Sequence, residues 1–259
     1  MYVLDRPPGL RNSSSASDSH SFDELPEQVI GQERVPSGST VAKAGAALFD
    51  LDGTLIDLRQ VYLACHRLAA AEVLGIELAD HHVLELMATG APIRTHMASL
   101  SGEHAERLVD CFVDHYRAQR AALARPFPGI VKLLRTLKAS GAGVAVVTSK
   151  LRADALAELA STGIADHVDT VVAFEDVAEH KPSQAPQLEA LRRLDREGGV
   201  GIGDLPTDVA SARAAGLLAL AVTWGYGDAQ ALADAGAERV CATPDELREA
   251  IAESLWARV

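Results

Sequence analysis

The chain has 259 residues, 48% of them apolar, enough to bury the core of one large or two modest domains. Its 36 Asp and Glu against 24 Lys and Arg give a formal charge of −12, which argues against a surface built for a nucleic-acid backbone. Cys65, Cys111 and Cys241 are odd in number and widely spaced; they suggest neither a disulfide framework nor a zinc site and suit a reducing cytoplasm.

Residues 1–42 are rich in Ser, Pro, Gly and charge and lack periodicity, so a disordered tail is expected there. Within it Phe22, Leu25, Val29 and Ile30 form only a weak apolar stripe. No run is long and apolar enough for a bilayer span, and the N-terminal region has charges and prolines where an export signal carries its hydrophobic segment. The expectation is a protein that is neither exported nor membrane-bound.

The first ordered element is the apolar run Ala46-Ala47-Leu48-Phe49, which leads directly into Asp50-Leu51-Asp52-Gly53-Thr54-Leu55. A buried strand that ends in two acids delivers carboxylates to the carboxyl edge of a parallel sheet, where open α/β sheets bind their ligands. Two carboxylates this close stay ionised together only beside a cation; otherwise one is driven towards its protonated form. A calcium loop of the EF-hand kind would need glycine at Leu55 and glutamate at Val61, and has neither.

A long segment of helical periodicity follows, with apolar residues at Val61, Cys65, Leu68, Ala69 and Val73, then Ile93, Met97 and Leu100, then Leu108, Phe112 and Tyr116. It ends at Arg125-Pro126-Phe127-Pro128-Gly129, a strong breaker. This predicts a helical module, residues 58–126, inserted into an α/β core made of residues 43–57 and 127–259.

Beyond the breaker, helices and short apolar strands alternate. Strands are predicted at Gly143 to Val147, Val168 to Val172, Val200 to Ile202, Leu218 to Val222 and Arg239 to Cys241. Helices are predicted at Ile130 to Ala139, Leu151 to Ser161, Ser183 to Asp195, Thr207 to Ala215 and Pro244 to Trp256. The alternation predicts a Rossmann-like parallel sheet with helices on both faces.

Polar residues stand where those strands end. Thr148-Ser149-Lys150 follows one, Lys181-Pro182 is expected to open the helix after another, and Gly203-Asp204 follows a third, with Asp208 one helical turn on. A strand-end hydroxyl before a helix can seat a phosphate oxygen, a lysine neutralises phosphate charge, and Asp50, Asp204 and Asp208 together suit a hard cation such as Mg2+. Taken singly, the same residues serve equally as an N-cap, a surface lysine and a carboxylate complementing a helix dipole. The dinucleotide pattern fails at Pro206, and no phosphate loop of the Gly-x4-Gly-Lys-Ser/Thr kind exists.

As a set these motifs resemble the haloacid dehalogenase superfamily, in its phosphoglycolate phosphatase-like group of phosphatases. The likeness runs from about Ala44 to the C-terminus and includes Phe127-Pro128-Gly129, Ala212-Arg213-Ala214-Ala215-Gly216 and Trp224-Gly225-Tyr226-Gly227. It implies a Mg2+-dependent enzyme in which Asp50 attacks phosphorus to form an aspartyl-phosphate. Asp52 would serve as acid and base, and Thr148 and Lys181 would hold the phosphoryl oxygens. Mg2+ would rest on Asp50, the Asp52 carbonyl and Asp204, with Asp208 as a metal-side support. Thr54 stands where related sugar-phosphate mutases commonly carry valine, which favours hydrolysis, and a dehalogenase would not need Asp204 and Asp208.

The inserted helices match the family's small cap, which makes Arg94, in Gly90-Ala91-Pro92-Ile93-Arg94, and His66 candidates for substrate contact; an exposed arginine and a helix-surface histidine are equally compatible. Gly53, Thr54 and Ser149 are the remaining expected substrate-side residues. One departure from the family is Lys181-Pro182-Ser183-Gln184-Ala185-Pro186, where Lys-Pro-x-Pro is usual. Lys150, third after Thr148, also resembles the inorganic-pyrophosphatase branch. The expected partner is a small phosphorylated metabolite, a phosphomonoester or pyrophosphate, with the protein a monomer or homodimer; a phosphate-ligand binding module without catalysis is the alternative from another class.

Overall fold

The computed structural model describes residues 45–256. The tail expected over residues 1–42, with its Phe22 to Ile30 stripe, lies outside the described residues.

Six parallel strands form one sheet: β1 (Ala46–Phe49), β4 (Gly143–Val147), β5 (Thr170–Val172), β6 (Gly199–Gly203), β7 (Leu218–Val222) and β8 (Arg239–Cys241), in the order β5-β4-β1-β6-β7-β8. The chain runs outward from β1 through β4 to β5, then returns to the other side of β1 with β6. Strand order therefore reverses at β1, the position at which open α/β sheets leave a crevice at their carboxyl ends.

Register aligns the functional strand ends. Phe49 pairs with Val146 on one side and Ile202 on the other. Asp50 and Asp52, Thr148, and Asp204 therefore follow strand ends at the same carboxyl edge of the sheet.

Side-chain alternation divides the core into two layers. Ala47, Phe49, Val144, Val146 and Ile202 face α5 (Ile130–Ala139) and α10 (Pro244–Trp256), through Leu133, Leu134, Leu247 and Ile251. Ala46, Leu48, Ala145 and Val147 face α7 (Ala185–Leu194) and α8 (Pro206–Ala214), where Ala190, Val209 and Ala212 permit a close approach. α6 (Arg152–Ser161) follows β4, and α9 (Ala229–Asp234) precedes β8.

Between β1 and α5 the chain forms four helices, α1 (Arg59–Leu74), α2 (Asp80–Ala88), α3 (Ile93–Leu100) and α4 (Ala105–Leu123). The entry and exit of this insertion pair as a short antiparallel ribbon, β2 (Ile56–Asp57) with β3 (Arg125–Pro126). Tyr62, Phe112 and Tyr116 pack ring on ring inside it, with centroids 5.6 to 5.9 Å apart. Its buried residues join the core layer that holds Phe49 and Ile56, so the insertion is seated on the sheet through shared apolar packing.

Three local expectations need correction. α7 begins at Ala185 rather than Ser183, with Pro186 in its first turn, where a missing N–H costs nothing; Lys181 and Pro182 lie in the preceding turn. The strand expected from Val168 starts at Thr170, because residues 165–167 form a 3-10 turn. The helix expected over Thr207 to Ala215 runs one residue earlier, from Pro206 to Ala214, with Asp208 in its first turn and Asp204 ahead of it.

Candidate active site

A cavity opens at the carboxyl ends of β1, β4 and β6, lined by Asp50, Asp52, Thr148, Ser149, Lys150, Lys181 and Asp208, and also by Leu205, Thr207 and Tyr226. Sequence positions as distant as Asp50 and Asp208 meet there because each follows a strand of the same parallel sheet.

Each of the two acids after β1 has its own lysine. Lys181 Nζ donates to Asp50 Oδ1 at 2.6 Å and to Asp208 Oδ1 at 2.7 Å. Lys150 Nζ donates to Asp52 Oδ1 at 2.7 Å and to Glu158 Oε2 at 2.6 Å. Both lysine side chains are only 5% exposed, so these are desolvated ion pairs whose loss on one side would strand a buried charge.

Burial pushes Asp50 up to about 7 against the pull of Lys181. Burial likewise raises Asp52 to about 6 against the pull of Lys150. For Lys181, burial disfavours the charged form, but Asp208 and Asp50 outweigh it and hold the ammonium above its ordinary range. Lys150 is raised in the same way by Asp52 and Glu158.

Asp204 is different. It is fully buried, and among the described residues its oxygens take hydrogen bonds from neutral donors: Thr54 Oγ1 at 3.0 Å and the Tyr226 amide at 2.8 Å. Burial, then the neighbouring Asp50 and Asp208, hold its carboxyl well above the usual range. Ligand atoms of Asp50, Asp204 and Asp208 all lie within 4.8 Å of one another. Three crowded, desolvated carboxylates are an oxygen donor set that fits a hard divalent cation.

The backbone around Asp204 is shaped for close approach. Gly53 adopts φ 84°, and a Cβ there would stand 2.2 Å from Asp204 Oδ2. A Cβ at Gly225 would meet the same oxygen at 2.3 Å. Both loops need glycine because they close directly over a carboxylate.

The expected site residues divide into those brought together and those placed elsewhere. Asp50, Asp52, Thr148, Ser149, Lys181 and Asp208 line one cavity, with Asp204 beneath it. Gly53 and Thr54 are not among its lining residues; the Thr54 side chain is buried and donates to Asp204. Arg94 pairs with Glu106 on the inserted helices and is 45% exposed. His66 does not sit on a helix surface but is fully buried, with Nδ1 2.8 Å from the Tyr62 carbonyl and its ring edge-on to Phe112. Burial lowers it to about 4, which keeps it a neutral packing residue.

Lys150 and Tyr226 belong to the cavity although neither stood among the expected site residues. Tyr226 lies in the Trp224-Gly225-Tyr226-Gly227 stretch just beyond β7, and that strand-end address was the available signal. Its hydroxyl accepts the Leu58 amide at 3.1 Å, and Trp224 Nε1 donates to the Thr54 carbonyl at 3.0 Å. The stretch thus ties the start of the insertion to the first motif.

The model of the haloacid dehalogenase-like hydrolases matches residues 47–222, and the chain belongs to that family. A phosphoglycolate phosphatase of Mesorhizobium japonicum is 31% identical over 191 residues, covering 70% of this chain and 83% of that one. A pyrophosphatase of Bacillus velezensis, PpaX, is 29% identical over 195 residues, covering 74% and 89%. Among solved structures, a haloacid dehalogenase-like family hydrolase of Streptococcus pneumoniae superposes with a TM-score of 0.70 at 26% identity, covering 80% of this chain and 97% of that one. No helix among the described residues is long and apolar enough to cross a membrane.

Proposed function

We propose that this enzyme is a Mg2+-dependent phosphomonoesterase that hydrolyses a small phosphorylated metabolite, such as a phosphoglycolate-like or sugar phosphate, through an aspartyl-phosphate on Asp50. The observation that carries the reading is the division of labour among the carboxylates. Asp50 and Asp52 are each steadied by a lysine, whereas Asp204 beside them lacks a cationic side-chain partner among the described residues.

Asp50 is the nucleophile. Its carboxylate attacks phosphorus as the bond to the leaving oxygen breaks, and Asp52 gives its proton to that oxygen. In the second half Asp52 takes a proton from water as the water attacks phosphorus, the bond to Asp50 breaks and phosphate is released. A carboxyl raised by burial to about 6 suits a group that must both give and accept a proton near neutrality.

Lys181 holds Asp50 in place and balances the charge of the phosphoryl oxygens, with the Thr148 hydroxyl and Ser149 lining the same cavity. Asp208 keeps Lys181 there. Asp50, Asp204 and the Asp52 carbonyl would hold Mg2+, with Asp208 behind them, and the ion would draw charge from the phosphoryl oxygens. Residues 58–126 act as a cap over this site; the approach of the Gly90 loop to Leu205, 3.0 Å from a Cβ built at Gly90, supports that role. Three cysteines free of disulfides suit a cytoplasmic enzyme.

Pyrophosphate is the second reading, favoured by one observation: Lys150 adds a second ammonium to the cavity wall beside Asp52, where a leaving phosphate would depart. The deciding experiment is phosphate release from phosphoglycolate, sugar phosphates and pyrophosphate, with Mg2+ or EDTA, by wild type and Asp50→Asn. Metal-dependent release by wild type alone is expected. Normal turnover by folded Asp50→Asn would defeat the aspartyl-phosphate route.

A further inference from the structure

Glu158 lies on α6, outside every motif noted above, and is wholly buried. Its carboxylate has two partners of different origin. Oε1 accepts from the Tyr116 hydroxyl on α4 of the insertion, and Oε2 accepts from Lys150 Nζ at 2.6 Å. Lys150 continues to Asp52 Oδ1 at 2.7 Å, and its ammonium stands 5.3 Å from the Tyr116 ring centroid. A continuous polar path therefore runs from the inserted helices, through the core, to the acid at the cavity.

Stability alone does not account for this path. Buried ion pairs often gain nothing over well-packed apolar residues of the same volume, because desolvation consumes the Coulomb attraction. What such a network does supply is a fixed arrangement. The α4 and α6 helices are also joined by the Arg120–Asp154 ion pair, so the junction does not depend on Tyr116 to stay together.

We propose that Tyr116 and Glu158 are positioning residues that transmit the seating of the inserted helices, through Lys150, to the carboxylate of Asp52. The proposal rests on the phosphatase reading for what Asp52 does. With α4 seated, Glu158 is held from one side by Tyr116 and draws Lys150 to a place from which it fixes one Asp52 oxygen. When α4 moves away, Glu158 loses its neutral donor, Lys150 is shared differently between the two carboxylates, and Asp52 is no longer aimed.

The test compares wild type, Tyr116→Phe and Glu158→Gln in single-turnover release of the leaving group from an alkyl phosphate and from 4-nitrophenyl phosphate. An alkoxide needs a well-placed proton donor to depart, whereas nitrophenolate scarcely does. The ratio of the alkyl to the nitrophenyl rate is expected to fall about tenfold in both variants, part of what a positioned acid contributes. An unchanged ratio, whether both rates hold or fall together, overturns the proposal. Wild type that releases nothing from either ester would defeat the phosphatase reading instead. The crystal structure of Tyr116→Phe then decides the path on its own: Lys150 Nζ displaced from Asp52 supports it, and Lys150 unmoved overturns it.

Discussion

The Thr54 hydroxyl donates to Asp204 Oδ1 at 3.0 Å, joining residues 150 positions apart in the chain. One motif thereby orients a carboxylate of another, and the threonine acts beneath the cavity rather than in it. Thr54→Val keeps the shape and removes the donor. If Asp204 holds the cation, this variant should need about tenfold more Mg2+ for half-maximal activity, the usual scale for losing a hydrogen bond to a metal ligand. KM for substrate at saturating Mg2+ should stay within about twofold. A Mg2+ titration of activity separates the two quantities.

Lys181 is held between Asp50 and Asp208, both largely buried. Lys181→Met leaves those carboxylates facing each other without their cation, a loss that costs about 3–5 kcal/mol when a buried pair is broken on one side. Urea denaturation without metal should show that loss at pH 8 and a smaller one at pH 5, where Asp50, raised by burial to about 7, carries a proton. Turnover should be lost in either case. An equal loss of stability at both pH values would mean that the lysine's packing, not its charge, matters.

The parallel sheet and the strand-end residues were legible because each depends on a local pattern: a short apolar run, then a polar residue, repeated at β1, β4 and β6. What joins those ends to their supports was not. Tyr116, Glu158 and Lys150 come from α4, α6 and the loop after β4, and nothing in the local pattern of any one reveals that they share a buried path. Residues 80–88 offered little periodicity because only Val83 and Met87 are buried there. α9 has six residues, too few for a periodic signal, and its visible mark is the Asp228 cap, whose side chain accepts the Gln230 and Ala231 amides. Pro182 misled in the opposite direction, since proline favours a helix's first turn and a second proline, Pro186, occupies that role.

Arg94 and His66 illustrate the same limit on the inserted helices. Arg94 is engaged with Glu106, and His66 is packed against Phe112; neither is among the residues lining the cavity. Arg94→Ala is therefore expected to leave kcat/KM within about twofold of wild type, as surface substitutions do. His66→Ala should lower the melting temperature instead, because it empties a buried site. Steady-state kinetics on the best substrate, with thermal denaturation alongside, checks both. A tenfold rise in KM for Arg94→Ala would return that residue to the substrate.

The cation requirement should also be visible in stability. Asp50 is raised to about 7, Asp52 to about 6, and Asp204 well above the ordinary range, in each case chiefly by burial. Between the unfolded carboxyl's pKa of about 4 and these values, the folded state binds more protons than the unfolded one. Asp50 and Asp52 therefore stabilise the metal-free protein fully below about pH 4 and lose that contribution as pH rises through about 6 and 7, and Asp204 acts in the same direction. Buried His66 and His96, both lowered to about 4, act in the opposite sense up to about pH 6.5. The shift produced by Mg2+ at each pH removes their contribution, since they are present with and without metal. A cation needs the carboxylates deprotonated, so Mg2+ should raise the melting temperature by several degrees more at pH 8 than at pH 5. The same measurement on Asp204→Asn should lose most of that difference, and an equal rise at both pH values in wild type would count against these carboxylates as the cation site.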